Sequence, residues 1–276
     1  MHDTYQVFAL KYAERNTRTR ADSFLFDDDH ASPHDMDYSI WVIRNDDRVI
    51  VVDTGYDEVE ARRRGRPILQ SPAKCLADFG IDPASVDTVI ITHLHYDHAG
   101  SLGDFPNACF HLQAAEMAFA TGPCMCHGVL QAPFSVEHVV EMVRHVYSGR
   151  VVFHEGNSEV VPGVEVHAVG GHSRGLQCVR VKTARGWLVL ASDASHYYEN
   201  FLRKKLFPIV ENSQAMLDGF ELLPQLAGGP SLIIPGHDPL VRKLFPLVAS
   251  SGKLAVNRLD VEPAADFLQR TGQDQA

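Results

Sequence analysis

Two hydrophobic periodicities alternate along the chain. Tyr38–Ile43 is a run of β-branched and aromatic residues, Asn45-Asp46-Asp47 is a polar break, and Arg48–Val52 is a second apolar run that stops at Asp53-Thr54-Gly55. Two such runs across a short polar turn predict a hairpin. A weaker run, Tyr5–Leu10, is expected to supply an earlier strand. Residues 57–80 carry charges and helix formers as far as Gly80, which predicts a helix with a glycine stop. Asp87–Thr92 is a short continuous apolar run, the pattern of a strand buried on both faces, and it leads directly into His93. Ala108–Leu112 reads as a further strand and Gln113–Thr121 as a helix.

Residues 122–150 break this rhythm. Gly122-Pro123 interrupts the chain, Val136–Tyr147 is amphipathic at helical spacing, and no strand alternation is visible. The segment is therefore expected to be an insertion or lid. Strand patterns return at Val151–Phe153, Val164–Val169, Leu176–Val181 and Trp187–Leu190. Residues 211–227 predict a helix, and Leu232–Ile234 a last buried strand ending at Pro235-Gly236-His237. From Val256 onward the chain is polar and is expected to form a short helix and a frayed tail. The order is β-rich, helical, β-rich, helical. This predicts one α/β domain over 1–276, an αββα sandwich with two mixed β-sheets face to face and helices outside. No glycine-rich phosphate fingerprint lies between a strand and a helix, which argues against a nucleotide-binding fold.

Composition narrows the function. A chain of 276 residues with 45% hydrophobic and 22% charged residues can bury a sizeable core. Lys plus Arg total 25 and Asp plus Glu 35, a formal charge of −10, which disfavours nucleic acid and anionic membrane surfaces as partners. No apolar run approaches the roughly 20 residues of a membrane span. The N-terminus lacks a basic stretch followed by an apolar one, so no signal peptide is expected and the cytoplasm is the expected compartment. The five cysteines are odd in number and show no zinc-ribbon spacing, so free thiols are expected; Cys124-Met125-Cys126-His127 is at most an incidental metal site. A homodimer is admitted, although no coiled-coil heptad marks one. The conspicuous count is 15 histidines.

Four of the chain's metal-ligand candidates fall together in Thr92-His93-Leu94-His95-Tyr96-Asp97-His98-Ala99-Gly100, at the end of a buried strand. Burying three imidazoles and a carboxylate side by side is costly unless a cation uses their lone pairs and charge. The spacing His93-x-His95-x-Asp97-His98 resembles the H-x-H-x-D-H signature of the metallo-β-lactamase superfamily. Further elements resemble that family in the same order. Val51-Val52-Asp53-Thr54-Gly55 is similar to its V-D-T-G strand end, Gly170-Gly171-His172-Ser173-Arg174-Gly175 to its histidine loop, Trp187–Asp193 to its apolar strand ending in aspartate, and Leu232–Pro239 to its final G-H-D element.

The resemblance implies two divalent metal ions. His93, His95 and His172 would hold the first, Asp97, His98 and His237 the second, and Asp193 would bridge them together with a hydroxide. Nitrogen and oxygen donors without thiolate suit zinc best, with iron, cobalt or manganese as alternatives. The family's di-iron flavoprotein branch has an acidic residue where this chain has His95, which favours hydrolysis over redox chemistry. Asp53 is expected to orient His95 or another ligand histidine rather than to bind metal.

Within the family, the quorum-quenching N-acyl homoserine lactonases are the most similar branch, in length, in the aspartate at 193 and in Gly236-His237-Asp238. The expected activity is ring opening of a lactone by a metal-bridging hydroxide, with a catabolic lactone as another substrate. The alternative is a thioester or other carboxylic ester hydrolase. Asp97 would carry the proton to the leaving alkoxide. Those lactonases often have a tyrosine three residues after the bridging aspartate. Here that place is His196, so His196 or the adjacent Tyr197 is expected to stabilise the oxyanion. His34 and Arg174 are candidate substrate contacts, with His30 and Arg203-Lys204-Lys205 weaker ones. The partner is a small-molecule lactone or ester, with no nucleic acid and no membrane.

Overall fold

The computed structural model describes residues 4–272. Its strands form two sheets. β1 (Gln6–Arg15), β2 (Met36–Arg44), β3 (Val49–Val52), β4 (Thr88–Ile90), β5 (Cys109–Gln113) and β6 (Val151–His154) lie side by side in that order. The first three pair antiparallel and the rest parallel. The second sheet is built from β7 (Ser158–Val161), β8 (Val164–Ala168), β9 (Gln177–Thr183), β10 (Gly186–Ser192) and β11 (Ile233–Pro235), with only the β10–β11 pair parallel.

Alternation along the large sheet's strands explains why it is covered on both sides. Phe8, Leu10 and Tyr12 of β1, with Ile40 and Val42 of β2 and Val51 of β3, point into one core. The residues between them, Val7, Ala9, Trp41, Ile43, Ile50 and Val52, point into another. A period of two places neighbours on opposite faces. The first core is closed by helices α1 (Glu58–Arg64), α2 (Pro72–Asp78), α3 (Ala114–Ala120) and α5 (Val136–Tyr147), through residues such as Ala61, Leu76, Phe119 and Met142. The short α4 (Gly128–Gln131) precedes α5. The second core joins the two sheets and continues to α6 (Tyr198–Arg203) and α7 (Ser213–Leu226), which bury Phe201, Met216, Phe220 and Leu223. The layers are helix, sheet, sheet, helix, as expected.

Three local expectations differ from the structure. The helix expected over 57–80 is two helices, because Gly65 adopts a left-handed conformation (φ 61°) that ends α1 and Pro72 opens α2. The tail is not merely polar: β12 (Leu247–Ser251) and β13 (Leu254–Arg258) extend the large sheet, β13 pairing with β1 from Phe8 to Lys11. The hairpin lies between α8 (Leu240–Leu244), which follows β11, and the short helix α9 (Phe267–Thr271). The signal was there in Leu254 and Val256, both buried, but it spans only five residues. Within 122–150, Val136–Tyr147 packs on the core through Val139 and Met142, whereas Phe134 turns toward His95.

Among the described residues no helix is long and apolar enough to cross a membrane. Leu190 lies fully buried on β10, between β9 and β11, in the core that joins the sheets. Leu190→Ala is expected to destabilise the fold by about 2–5 kcal/mol, read from urea unfolding. A loss below about 1 kcal/mol would contradict its place in that core.

Candidate metal centre

The site lies where strands from both sheets end at one edge. The end of β4 runs through Ile91-Thr92 into His93, and the end of β3 into Asp53. In the second sheet, Asp193 follows β10, His237 follows β11, and His172 sits in the loop between β8 and β9. Thr92 and Ser192 tie the two strand ends together, their hydroxyls 2.9 Å apart. Asp53 (φ 61°) and Ser192 (φ 47°) both hold the left-handed backbone region, unfavourable for residues with a Cβ. Gly236 lets the last loop pass close: a Cβ there would lie 2.9 Å from Asp193 Oδ1 and 2.7 Å from the Ser192 carbonyl.

Asp193 is the centre of the cluster. His172 Nε2, His196 Nε2 and His93 Nε2 lie 3.1, 2.9 and 3.7 Å from its Oδ2. His237 Nε2 and His98 Nε2 lie 3.0 and 3.3 Å from its Oδ1. The two oxygens thus face two different sets of imidazoles. Donor atoms of His93, His95 and His172 converge within 4.8 Å of one another, and so do those of Asp97, His98 and His237. The structure brings all seven expected ligands together.

The outer nitrogens explain how the rings are aimed. His98 Nδ1 donates to Asp53 Oδ2 (2.7 Å), His172 Nδ1 to the Ile209 carbonyl (2.7 Å) and His237 Nδ1 to the Asp37 carbonyl (2.9 Å). Carboxylate and carbonyl oxygens only accept, so these Nδ1 atoms carry the hydrogens and each Nε2 presents a lone pair inward. Asp53 therefore serves His98, not His95. Its carboxylate also accepts from Thr92 N–H (2.8 Å) and the Thr92 hydroxyl (2.8 Å).

The donor set fits metal ions on a direct observation. His93 Nε2, His98 Nε2, His172 Nε2 and Asp193 Oδ1 are buried and make no hydrogen bond. Burying such atoms unsatisfied is expensive, and a cation between them removes the cost. Burial, reinforced by the neighbouring imidazoles, holds His93 and His95 well below the ordinary histidine pKa, so both keep a free lone pair. Burial works against ionised Asp193, but His98, His237 and His196 hold its carboxyl well below the usual range.

The other expected site residues divide. His196 is buried in the cluster, stacked on Phe207 with ring centroids 3.7 Å apart, and burial pushes its pKa down to about 3. Tyr197 is turned away: its hydroxyl donates to the Asp35 carbonyl (3.2 Å) and its ring packs on His34. His34 bonds Ser23 Oγ through Nδ1 (3.0 Å) and is not brought to the cluster. Arg174 is half exposed and paired with Glu211 at 2.6 Å. Arg203, Lys204 and Lys205 pair with Glu199, Glu221 and, for Lys205, Glu199 and Asp27. His30 is exposed. Among the described residues, Cys124, Cys126 and His127 enter no group of three converging donors.

One residue escaped the sequence reading. Glu116, fully buried at the start of α3, accepts from Leu94 N–H (2.9 Å), Gly175 N–H (2.9 Å) and the Ser173 hydroxyl (2.6 Å). It therefore braces the loop of His93 and His95 against the loop of His172. A Cβ on Gly175 would fall 2.1 Å from Glu116 N, so the loop can approach only as glycine. The available signal was the invasion of an acidic side chain into an otherwise apolar helix start, Gln113-Ala114-Ala115-Glu116.

Residues 35–237 match the family model of the metallo-beta-lactamase superfamily, and the chain belongs to that superfamily. An N-acyl homoserine lactonase of Bacillus sp is 26% identical over 220 residues, covering 74% of this chain and 82% of the relative. The structure superposes on an N-acyl homoserine lactone hydrolase bearing the product N-hexanoyl-L-homoserine at its catalytic metal centre (TM-score 0.72, 23% identity, covering 87% of this chain and 96% of the other). It also superposes on the dizinc quorum-quenching lactonase AidC (TM-score 0.68, 14% identity, covering 94% and 95%). Asp53→Asn keeps the shape but weakens the acceptor for His98. It is expected to weaken metal affinity by roughly 10–100-fold, measured by competition with a chromophoric chelator. Unchanged affinity would remove Asp53 from this role.

Proposed function

We propose that the protein is a metal-dependent hydrolase that opens a lactone ring. The observation that carries this reading is the pair of donor sets meeting on the two oxygens of Asp193. His93, His95 and His172 would hold one divalent ion, Asp97, His98 and His237 the other, with Asp193 shared. Zinc is the ion this nitrogen and oxygen donor set suits best. Bound divalent ions supply Lewis acidity, which polarises an ester carbonyl and makes water nucleophilic at neutral pH.

The chain's own residues supply the rest. Hydrolysis adds water to the acyl carbon, breaks its bond to the ring oxygen and returns a proton to that oxygen. Asp97, only partly buried and on the cavity wall, would hold and pass that proton. His196, rather than Tyr197, is the group facing the reacting centre; its Nε2–H donates to Asp193 Oδ2 (2.9 Å) and would stabilise a developing oxyanion by turning from that carboxylate. A groove of about 220 Å³ leads away beside His95 and His172, lined by Phe119, Val129, Leu130 and Ile209. It suits an apolar substituent on the lactone, such as the acyl chain of the relatives' substrates. Val129, Leu130, Ala132 and Pro133, from the segment expected to act as a lid, form one wall of it. The five cysteines are free thiols, which fits a reducing cytoplasm.

His95→Ala or Asp193→Asn is expected to abolish ring opening, by at least about 10³-fold, and to reduce bound metal. A lactone panel set against linear thioesters identifies the bond. Faster turnover of the thioesters would replace this reading by the ester-hydrolase alternative. Full activity in a metal-free sample of either variant would sink both.

A further inference from the structure

Three arginines, Arg15, Arg18 and Arg66, line the same cavity of about 60 Å³ as Asp97 and Asp193. They come from distant parts of the sequence, the end of β1, the loop after it, and the turn between α1 and α2. None was singled out by sequence motif.

Many arginines elsewhere carry carboxylate partners, such as Arg20 with Asp27 and Glu199, Arg64 with Glu60, Arg185 with Glu262 and Arg242 with Asp37, while Arg44 lies over the rings of Phe8 and Phe79 and Arg150 donates to backbone carbonyls. Among the described residues, no carboxylate lies within ion-pair distance of Arg15, Arg18 or Arg66. The Arg15 side chain makes no hydrogen bond among those residues. Arg18 spends one guanidinium nitrogen on the Asp22 carbonyl (2.5 Å) and the Ser23 hydroxyl (3.2 Å), and its Nε is buried without a partner. Arg66 donates to the Tyr96 hydroxyl and lies over that ring, 5.1 Å from its centroid. Three acids share the cavity wall: Asp97 and Asp193 belong to the candidate metal centre, and Asp22 accepts through Oδ2 from Thr19 N–H (2.9 Å) and the Thr19 hydroxyl.

Three guanidinium groups without a direct ion pair, beside a centre built for cations, repel one another and that centre, the Asp22 and Asp97 carboxylates acting on them only from a distance. A chain with net charge −10 has acids to spare, yet among the described residues none is placed in ion-pair contact with these three guanidinium groups. An anion entering the cavity would supply a direct partner. Guanidinium forks match a carboxylate, and a cavity of this size admits a compact anion rather than a bulky one.

We infer that the substrate is an anionic lactone, bearing a carboxylate on or beside the ring that Arg18 and Arg66 grip, with Arg15 adding to the field. The inference rests on the lactonase reading of the centre. Ring opening consumes one water, cleaves the acyl carbon–ring oxygen bond and leaves a second carboxylate. The product is then a hydroxy dicarboxylate, and the preceding reaction must deliver a lactone that already carries an acid group.

Paraconate, a γ-butyrolactone with one ring carboxylate, and its neutral primary amide separate the possibilities. The wild-type metal-loaded enzyme is expected to favour the acid over the amide by about 10–100-fold in kcat/KM, the scale of a charge-assisted contact. Arg18→Gln and Arg66→Gln should each cut that ratio by about tenfold or more, chiefly through the KM of the acid. Calorimetry with the ring-opened hydroxy dicarboxylate gives a readout independent of turnover, and its binding should weaken in parallel. A ratio near one in the wild type, or a ratio that neither variant changes, would overturn the inference. Turnover of a neutral N-acyl lactone but not of paraconate would overturn it and leave the lactonase reading standing. Failure on every lactone would remove both.

Discussion

Everything at the functional edge of this molecule depends on one buried carboxylate. Asp193 sits among five imidazoles, with each oxygen facing its own group of them. An isolated ionised carboxylate at that depth would be prohibitively unstable, and so would a set of unpaired imidazole lone pairs. The two problems have one solution, cations shared between them. The fold is arranged to make that solution available. Both sheets end at the same edge, the Thr92–Ser192 contact locks their strand ends, and Gly236 allows the last loop to close on Asp193.

Around that centre a set of supports fixes direction. Asp53, Ile209 and Asp37 accept from the outer nitrogens of His98, His172 and His237, so rotation of these rings would break a buried hydrogen bond. Glu116 does for two backbone loops what those acceptors do for rings. Burial raises its pKa, against the hydrogen bonds from Leu94, Ser173 and Gly175, so its three contacts must all be made for the carboxylate to be tolerated. The positions of His93, His95 and His172 are in this sense consequences of packing in α3, a helix that bears no ligand.

Legibility followed distance along the chain. The run from His93 to His98 could be read because its donors are consecutive, and the buried strand before it because Val89, Ile90 and Ile91 form an unbroken apolar stretch. His172, Asp193 and His237 could be read because each follows an apolar strand in a recognisable local pattern. Glu116 and the three arginines could not, since their meaning arises only from tertiary contacts across tens of residues. His196 and Tyr197 are adjacent, and only coordinates separate them: one side chain enters the cluster while the next, at the start of α6, packs outward against His34. β12 and β13 were obscured because an edge hairpin with exposed Leu247 and Val248 lacks a sustained alternation.

The arginine-lined cavity and the apolar groove meet at Arg66 and His95, so charge selection and shape selection are applied on neighbouring walls of one entrance. Both matter only if the centre holds two ions about Asp193. Anomalous diffraction from crystals of the metal-loaded protein tests that most directly. Two peaks flanking Asp193 are expected, one against His93, His95 and His172 and one against Asp97, His98 and His237. A single peak, or none at this carboxylate, would contradict a two-ion centre.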